Sequence, residues 1–165
     1  MAPENQLRSR LRSEFVRAVY DHWTVLKGRT GSLPRLGEID WPKFAASGSL
    51  TIARVRGDGK VQFIEAGRAL VELLGEKKAY MAQRLDKAPD ESLEPYRRCA
   101  RERAPCHEFL KVDFGGGEPT TFERLLLPFR AGQDMRTIYV VGVVVIEGVG
   151  PEDASTTTLP SSRVP

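Results

Sequence analysis

Apolar positions recur every three or four residues at the start of the chain, at Leu7, Leu11, Phe15, Ala18, Val19, His22, Val25 and Leu26. Arg8, Arg12, Glu14 and Asp21 occupy the rest of the cylinder. The spacing predicts one amphipathic helix ending near Gly28, whose apolar stripe needs a cover. That cover is either the chain's own sheet or a second subunit. The Gly- and Pro-punctuated stretch that follows carries Leu33, Leu36 and Ile39, which pin it to the body, and a short helical turn is expected around Trp41-Pro42 and Phe44. Leu50–Val55 and Val61–Ile64 read as short strands joined by the permissive turn Gly57-Asp58-Gly59.

The middle of the chain is helical in pattern. Ala66–Leu74 places an apolar stripe ahead of Gly75, and residues 76–90 are left undecided. Asp90 or Ser92 caps a further helix reaching Arg103, with Pro95 in its first turn and an inner stripe of Leu93, Tyr96 and Cys99 or Ala100. After Pro105 the period changes to two. Three strands are expected at Cys106–Phe114, Thr120–Phe129 and Arg136–Glu147, connected as a meander by Gly115-Gly116-Gly117 and by Ala131-Gly132-Gln133-Asp134. The fold class is therefore α+β: a five-stranded antiparallel sheet, short helices on one face and an N-terminal amphipathic helix. The divisions are residues 1–28 for that helix, 29–148 for the sheet-bearing domain with its linker, and 149–165 for a polar tail too poor in apolar surface to order itself.

The last strand is unusual. Ile138, Val140, Gly142, Val144 and Ile146 fall on one face, and Tyr139, Val141, Val143, Val145 and Glu147 on the other. Both sets are largely apolar, and Leu125-Leu126-Leu127 repeats the signature. We assign the first set inward and the second outward. An antiparallel strand apolar on both faces needs a second cover. Leu11, Phe15, Val19, Trp23, Tyr139, Val141 and Val145 are the interface candidates, in the same chain or between chains.

Composition narrows the function classes. The chain has 165 residues, 41% apolar and 28% charged, with a formal charge of +3. That suits one globular domain and is a weak footprint for nucleic acid, the only cluster being Arg97, Arg98, Arg101 and Arg103. Ile138–Ile146, the longest apolar run, is about nine residues where a spanning helix needs roughly twenty. No signal-peptide pattern opens the chain, and two cysteines are too few for a disulfide scaffold, so a cytoplasmic setting is expected, without nucleic-acid or membrane partners.

Chemistry is sparse. His22 lies on the helix stripe and reads as a packed or interface residue. His107 and Cys106 are strand neighbours that point to opposite faces, so they form no dyad. Glu65, Glu123 and Glu147 lie in or beside strands and pair with Arg124 or Arg136 across neighbours; Glu94, Glu102 and Glu108 read as solvated. The glycines at 115–117 join strands and open no helix, which excludes a phosphate-binding loop. We expect no enzyme. A curved sheet under short helices encloses an apolar space, with candidate lining residues Ile52, Phe63, Leu70, Leu74, Tyr96, Phe109, Leu126 and Val144, most of which also serve as plain core.

Several segments carry a resemblance. Trp23, then Leu33-Pro34-Arg35 leading to Ile39-Asp40-Trp41-Pro42, then Phe122-Glu123-Arg124-Leu125-Leu126-Leu127-Pro128-Phe129 followed by the polar turn Ala131–Asp134, occur in that order. Over residues 11 to 147 the chain resembles a small alphaproteobacterial PAS-like family with a terminal F-x-R-x-L-L-P strand motif. It departs from that family at Gly75-Glu76-Lys77-Lys78, which lacks a Thr-Gly pair, while Phe63–Gly67 keeps the glycine after the second strand. The resemblance implies a sensory or regulatory module acting through protein partners. It also implies dimerisation through the outer sheet face and the first helix, hence a homodimer or a complex with a signalling protein. Neither cysteine sits in a covalent flavin motif and no histidine lies where haem-binding PAS domains carry their ligand, so both cofactors are disfavoured. A small-molecule receptor is the second reading, and a small enzyme on a similar scaffold the third.

Overall fold

The computed structural model describes residues 3–39, 50–65, 90–112 and 117–146. The expected helix over 66–74, the turn at 41–44, the glycine loop at 115–116 and the tail fall outside these. The described elements are α1 (Pro3–Arg10), α2 (Glu14–Thr30), a single 3-10 turn at Leu36–Glu38, β1 (Leu50–Val55), β2 (Val61–Glu65), α3 (Asp90–Glu102), β3 (Cys106–Val112), β4 (Thr120–Ala131) and β5 (Asp134–Ile146).

The N-terminal segment is two helices where the periodicity predicts one. The break at residues 11–13 exists because Ser13 takes an extended conformation and its hydroxyl accepts from the Val16 N–H, capping α2. α1 folds back on α2 through Arg8–Asp21, Lys27–Glu4 and a hydrogen bond from the Tyr20 hydroxyl to the Glu4 carbonyl. The glycine that ends α2 is Gly31 rather than Gly28. Its φ of 64° is the left-handed conformation a helix C-terminus needs, and its N–H reaches the Lys27 carbonyl. α3 begins at Asp90, so Pro95 lies in its second turn and not, as expected, its first. The linker after α2 is held as the sequence suggests: Leu33 and Ile39 are buried, Leu36 is partly so, and the Arg130 N–H donates to the Pro34 carbonyl.

The sheet is antiparallel throughout, in the order β2-β1-β5-β4-β3. Consecutive hairpins form the two wings, and the last strand closes the centre between β1 and β4. This is the PAS-like α+β arrangement expected above. Directly opposed residues share a face, so the register sorts the side chains. Glu123, Leu125, Leu127 and Phe129 of β4 stand opposite Val145, Val143, Val141 and Tyr139 of β5. Arg124, Leu126, Pro128 and Arg130 stand opposite Val144, Gly142, Val140 and Ile138. The first set faces α2, and the second faces α3.

Both faces are therefore covered within one chain. α2 buries Val16, Val19, Tyr20, Trp23 and Leu26 against the outer face, while Tyr96, Cys99 and Ala100 of α3 pack on the inner one. Leu125, Leu126 and Leu127 are all fully buried, which one-sided strands do not allow. The inward and outward assignment of β5 agrees with the register. In this structure α2 of the same chain supplies the cover of the outer face.

Candidate functional site

β4 is the strand through which the two layers meet. On its outer face Glu123 is 2% exposed, a carboxylate on an otherwise apolar surface. Oε1 accepts from the Arg12 N–H at 2.8 Å and Oε2 from the Ser13 N–H at 2.8 Å, the two amides at the α1–α2 break. His107 Nε2 lies 2.9 Å from Oε1, its own side chain 6% exposed. A buried carboxylate thus ties the helical cover to the sheet, and helix-terminal amides supply the donors its charge requires. Around it, the Arg12 guanidinium lies 4.4 Å above the Phe109 ring, and that ring meets the His107 imidazole edge-on at 5.0 Å. Further along the same strand, Trp23 Nε1 donates to the Pro128 carbonyl at 3.0 Å.

The next residue of β4 faces the opposite layer. Arg124 Nε donates to Glu108 Oε1 at 2.8 Å, and its guanidinium carbon stands 5.2 Å from the Tyr96 ring centre. Tyr96 meets Phe63 in a T-shaped contact at 5.2 Å. Burial pushes its phenol above the usual range, with the Arg124 charge and hydrogen bond opposing. Close by, the Cys99 and Cys106 thiols, neither in a disulfide, lie in the last turn of α3 and at the start of β3, near enough for a hydrogen bond from Cys99 to act on Cys106. That bond lowers Cys106 to about 6, helped by the hydrogen bond and charge of Arg98 against partial burial. Cys99 is raised, first by the same bond and then by burial.

Six of the eight pocket candidates are described. Phe63, Tyr96, Leu126 and Val144 share the inner layer, whereas Ile52 and Phe109 belong to the outer one. Ile52 pairs with Val141 and Phe109 with Glu123, so both side chains emerge on the outer face, where Ile52 is partly buried and Phe109 is exposed. Thr51 and Ala53 take the inner positions of β1, opposite Gly142 and Val140, and both are buried. Leu70 and Leu74 lie outside the described residues. The seven interface candidates gather in the outer layer: Leu11, Val19, Trp23 and Val141 are buried, and Phe15, Tyr139 and Val145 are partly buried against them.

Cys106 and His107 do diverge to opposite faces, as their adjacency requires. The expected Glu123 pairing with Arg124 or Arg136 gives way to His107 and two backbone amides, because Glu123 and Arg124 point oppositely. Arg124 pairs with Glu108, which is half-buried rather than solvated. The Glu123 latch had a signal in sequence, since Glu123 shares its strand parity with Leu125, Leu127 and Phe129. The thiol contact had none, because the turn at 103–105 that joins the two elements is not encoded in a motif.

Among the described residues, no group of three or more His, Cys, Asp or Glu is placed to hold a metal ion, and no helix is long and apolar enough to cross a membrane. No family model matches the chain, and no curated protein matches it. Among solved structures it is similar to a fungal LOV domain photoreceptor at 16% identity, covering 74% of this chain and 88% of that one with a TM-score of 0.42. It is also similar to a sensory box sensor histidine kinase from Vibrio cholerae at 12% identity, covering 63% and 87% with a TM-score of 0.28. By its strand order and its helical layers, the chain has a PAS-like α+β fold.

Proposed function

We propose that this chain is a sensory or regulatory PAS-type module, of the small alphaproteobacterial kind its motifs resemble, that signals by association with a second copy of itself. In this reading residues 1–28 are the movable cover and the sheet-bearing domain is the sensor. The observation that carries it is the adjacency of Glu123 and Arg124. One peptide unit joins the side chain that latches the helical cover to the side chain that engages Tyr96 and Glu108 inside. A change in inner packing that displaces Arg124 moves β4 and loosens the Glu123 latch. Release of the cover uncovers Leu125, Leu127, Phe129, Val141 and Val143, a continuous apolar face that a second subunit can bury.

Light scattering of the full chain and of a chain lacking residues 1–27 tests this. Uncovering the face converts the protein to a discrete larger species. A truncated protein with the parent's oligomeric state and solubility overturns the association reading, and a polydisperse aggregate overturns a specific interface.

A second reading, a small-molecule receptor, draws support from the polar groups beneath α3. Tyr96, Thr51, Arg124 and Glu108 offer donors and acceptors against the apolar Phe63 and Leu126, the mixture by which pockets orient a ligand. Native mass spectrometry of freshly purified protein separates the two. A retained small molecule, lost on Tyr96→Leu, supports the receptor; an unliganded mass with no thermal shift across a metabolite screen counts against it.

A further inference from the structure

Arg56 and Arg136, distant in sequence, join three of the clustered arginines Arg97–Arg103 at one end of the sheet. A cleft of about 370 Å³ opens between the β1–β2 turn, α3 and the start of β5. Among the described residues, five that bear a guanidinium line it: Arg56 from the turn, Arg97, Arg101 and Arg103 from α3 and its C-terminal end, and Arg136 from β5. None of its described lining residues is acidic, and Val55 and Ile138, paired across β1 and β5, give it an apolar floor. Glu94 pairs with Arg97 and Arg101 at 3.9 and 3.4 Å, so one carboxylate balances part of this charge from outside the cleft.

The cleft is built, since its walls are tied to one another. Arg97 Nε donates to the Gly59 carbonyl at 2.9 Å, fastening α3 to the hairpin turn. That turn is closed by the Gly59 N–H on the Arg56 carbonyl and the Arg56 N–H on the Lys60 carbonyl. Gly59 has a φ of 80°, which suits glycine, whereas Arg103 has a φ of 51°, the only positive value among described non-glycine residues. A long side chain held in the left-handed region is strained, and such strain persists where the surroundings impose it, often at binding sites.

We propose that this cleft is a binding site for a small polyanion carrying two or more phosphate groups. Guanidinium forks match phosphate oxygens two at a time, and five of them around one space exceed what a single phosphate can engage. The apolar floor accommodates the uncharged part of such a ligand. The site is distinct from the Glu123 latch and does not depend on the association reading.

Titration calorimetry of the full chain with inorganic pyrophosphate, at about 0.15 M salt where loose surface attraction is screened, tests it. The decisive variant is Arg56→Gln with Arg101→Gln; its charge-matched control is Arg29→Gln with Lys111→Gln. All four side chains are exposed, so both variants retain the parent's fold, which their urea midpoints check. The expected result is saturable one-site binding to the parent, weakened about tenfold or more in the cleft variant and unchanged in the control. Absence of saturable binding by the parent overturns the proposal, as does equal weakening in both variants. Retention of a DNA duplex with the same variant sensitivity, and without competition from pyrophosphate, overturns it in favour of a nucleic-acid surface.

Discussion

Replacing Glu123 by alanine removes the acceptor for three hydrogen bonds at once. The Arg12 and Ser13 amides lie 2.8 Å from its oxygens and His107 Nε2 lies 2.9 Å away, around a side chain that is 2% exposed. Hydrogen bonds to a charged group contribute about 1.5–3 kcal/mol each, so three at full strength approach a typical domain's whole stability. Arg12 is exposed and Ser13 half-buried, so water recovers part of the two amides' loss. The expected cost of Glu123→Ala is therefore about 3 kcal/mol, equivalent to a fall in Tm of roughly 6–12 °C. Glu123→Gln keeps the shape but supplies one carbonyl and one amino group. Because Arg12 and Ser13 donate to different oxygens, either orientation sets a donor against a donor, and a loss of about 1–2 kcal/mol is expected. Urea denaturation gives the magnitudes, and amide hydrogen exchange shows where they fall, with α2 losing protection before β4 and β5. An alanine variant within about 0.5 kcal/mol of the parent, with α2 still protected, refutes the latch.

Three further perturbations read other parts of the structure. Trp23→Phe removes the donor to the Pro128 carbonyl and part of a fully buried ring; a loss of about 2–4 kcal/mol in urea denaturation is expected, and under about 1 contradicts this packing. A β-carbon at Gly142 lies 2.5 Å from Thr51 Oγ1 and 3.4 Å from Leu126 Cδ2, so Gly142→Ala costs about 1–3 kcal/mol, and adding Thr51→Ala recovers part of it; purely additive losses contradict the clash. Cys106 is held at about 6, below its ordinary 9.0, so its thiolate, and the stability that comes with it, persists above that ordinary value and is lost as pH falls through about 6. Its alkylation rate by iodoacetamide follows the same midpoint, and Cys99→Ala, which removes the leading cause, moves that midpoint upward; an unmoved midpoint contradicts the thiol contact.

Local patterns predicted local structure well. Alternation located β4 and β5, the Gly57–Gly59 signal located the hairpin, and the doubly apolar Leu125–Leu127 run implied a layer on each face. The break at residues 11–13 was hidden because Leu7, Leu11 and Phe15 keep helical spacing through it. What interrupts the helix is a cap at Ser13 and a carboxylate far away in sequence, at Glu123. Ile52 and Phe109 illustrate the same limit. Alternation sorts side chains into two faces but leaves open which face is which until pairing fixes the register. The arginine cleft was illegible for a related reason, since Arg56 and Arg136 join the α3 arginines only once β1 and β5 are paired.

The most direct measurement is hydrogen exchange at the Trp23 indole N–H and at the amides of Val16–Leu26, followed across a wide range of protein concentration. A cover that closes the outer sheet face in cis predicts strong protection that does not change on dilution, and its selective loss in Glu123→Ala. Protection that fades on dilution, with α2 docked only when chains associate, contradicts it.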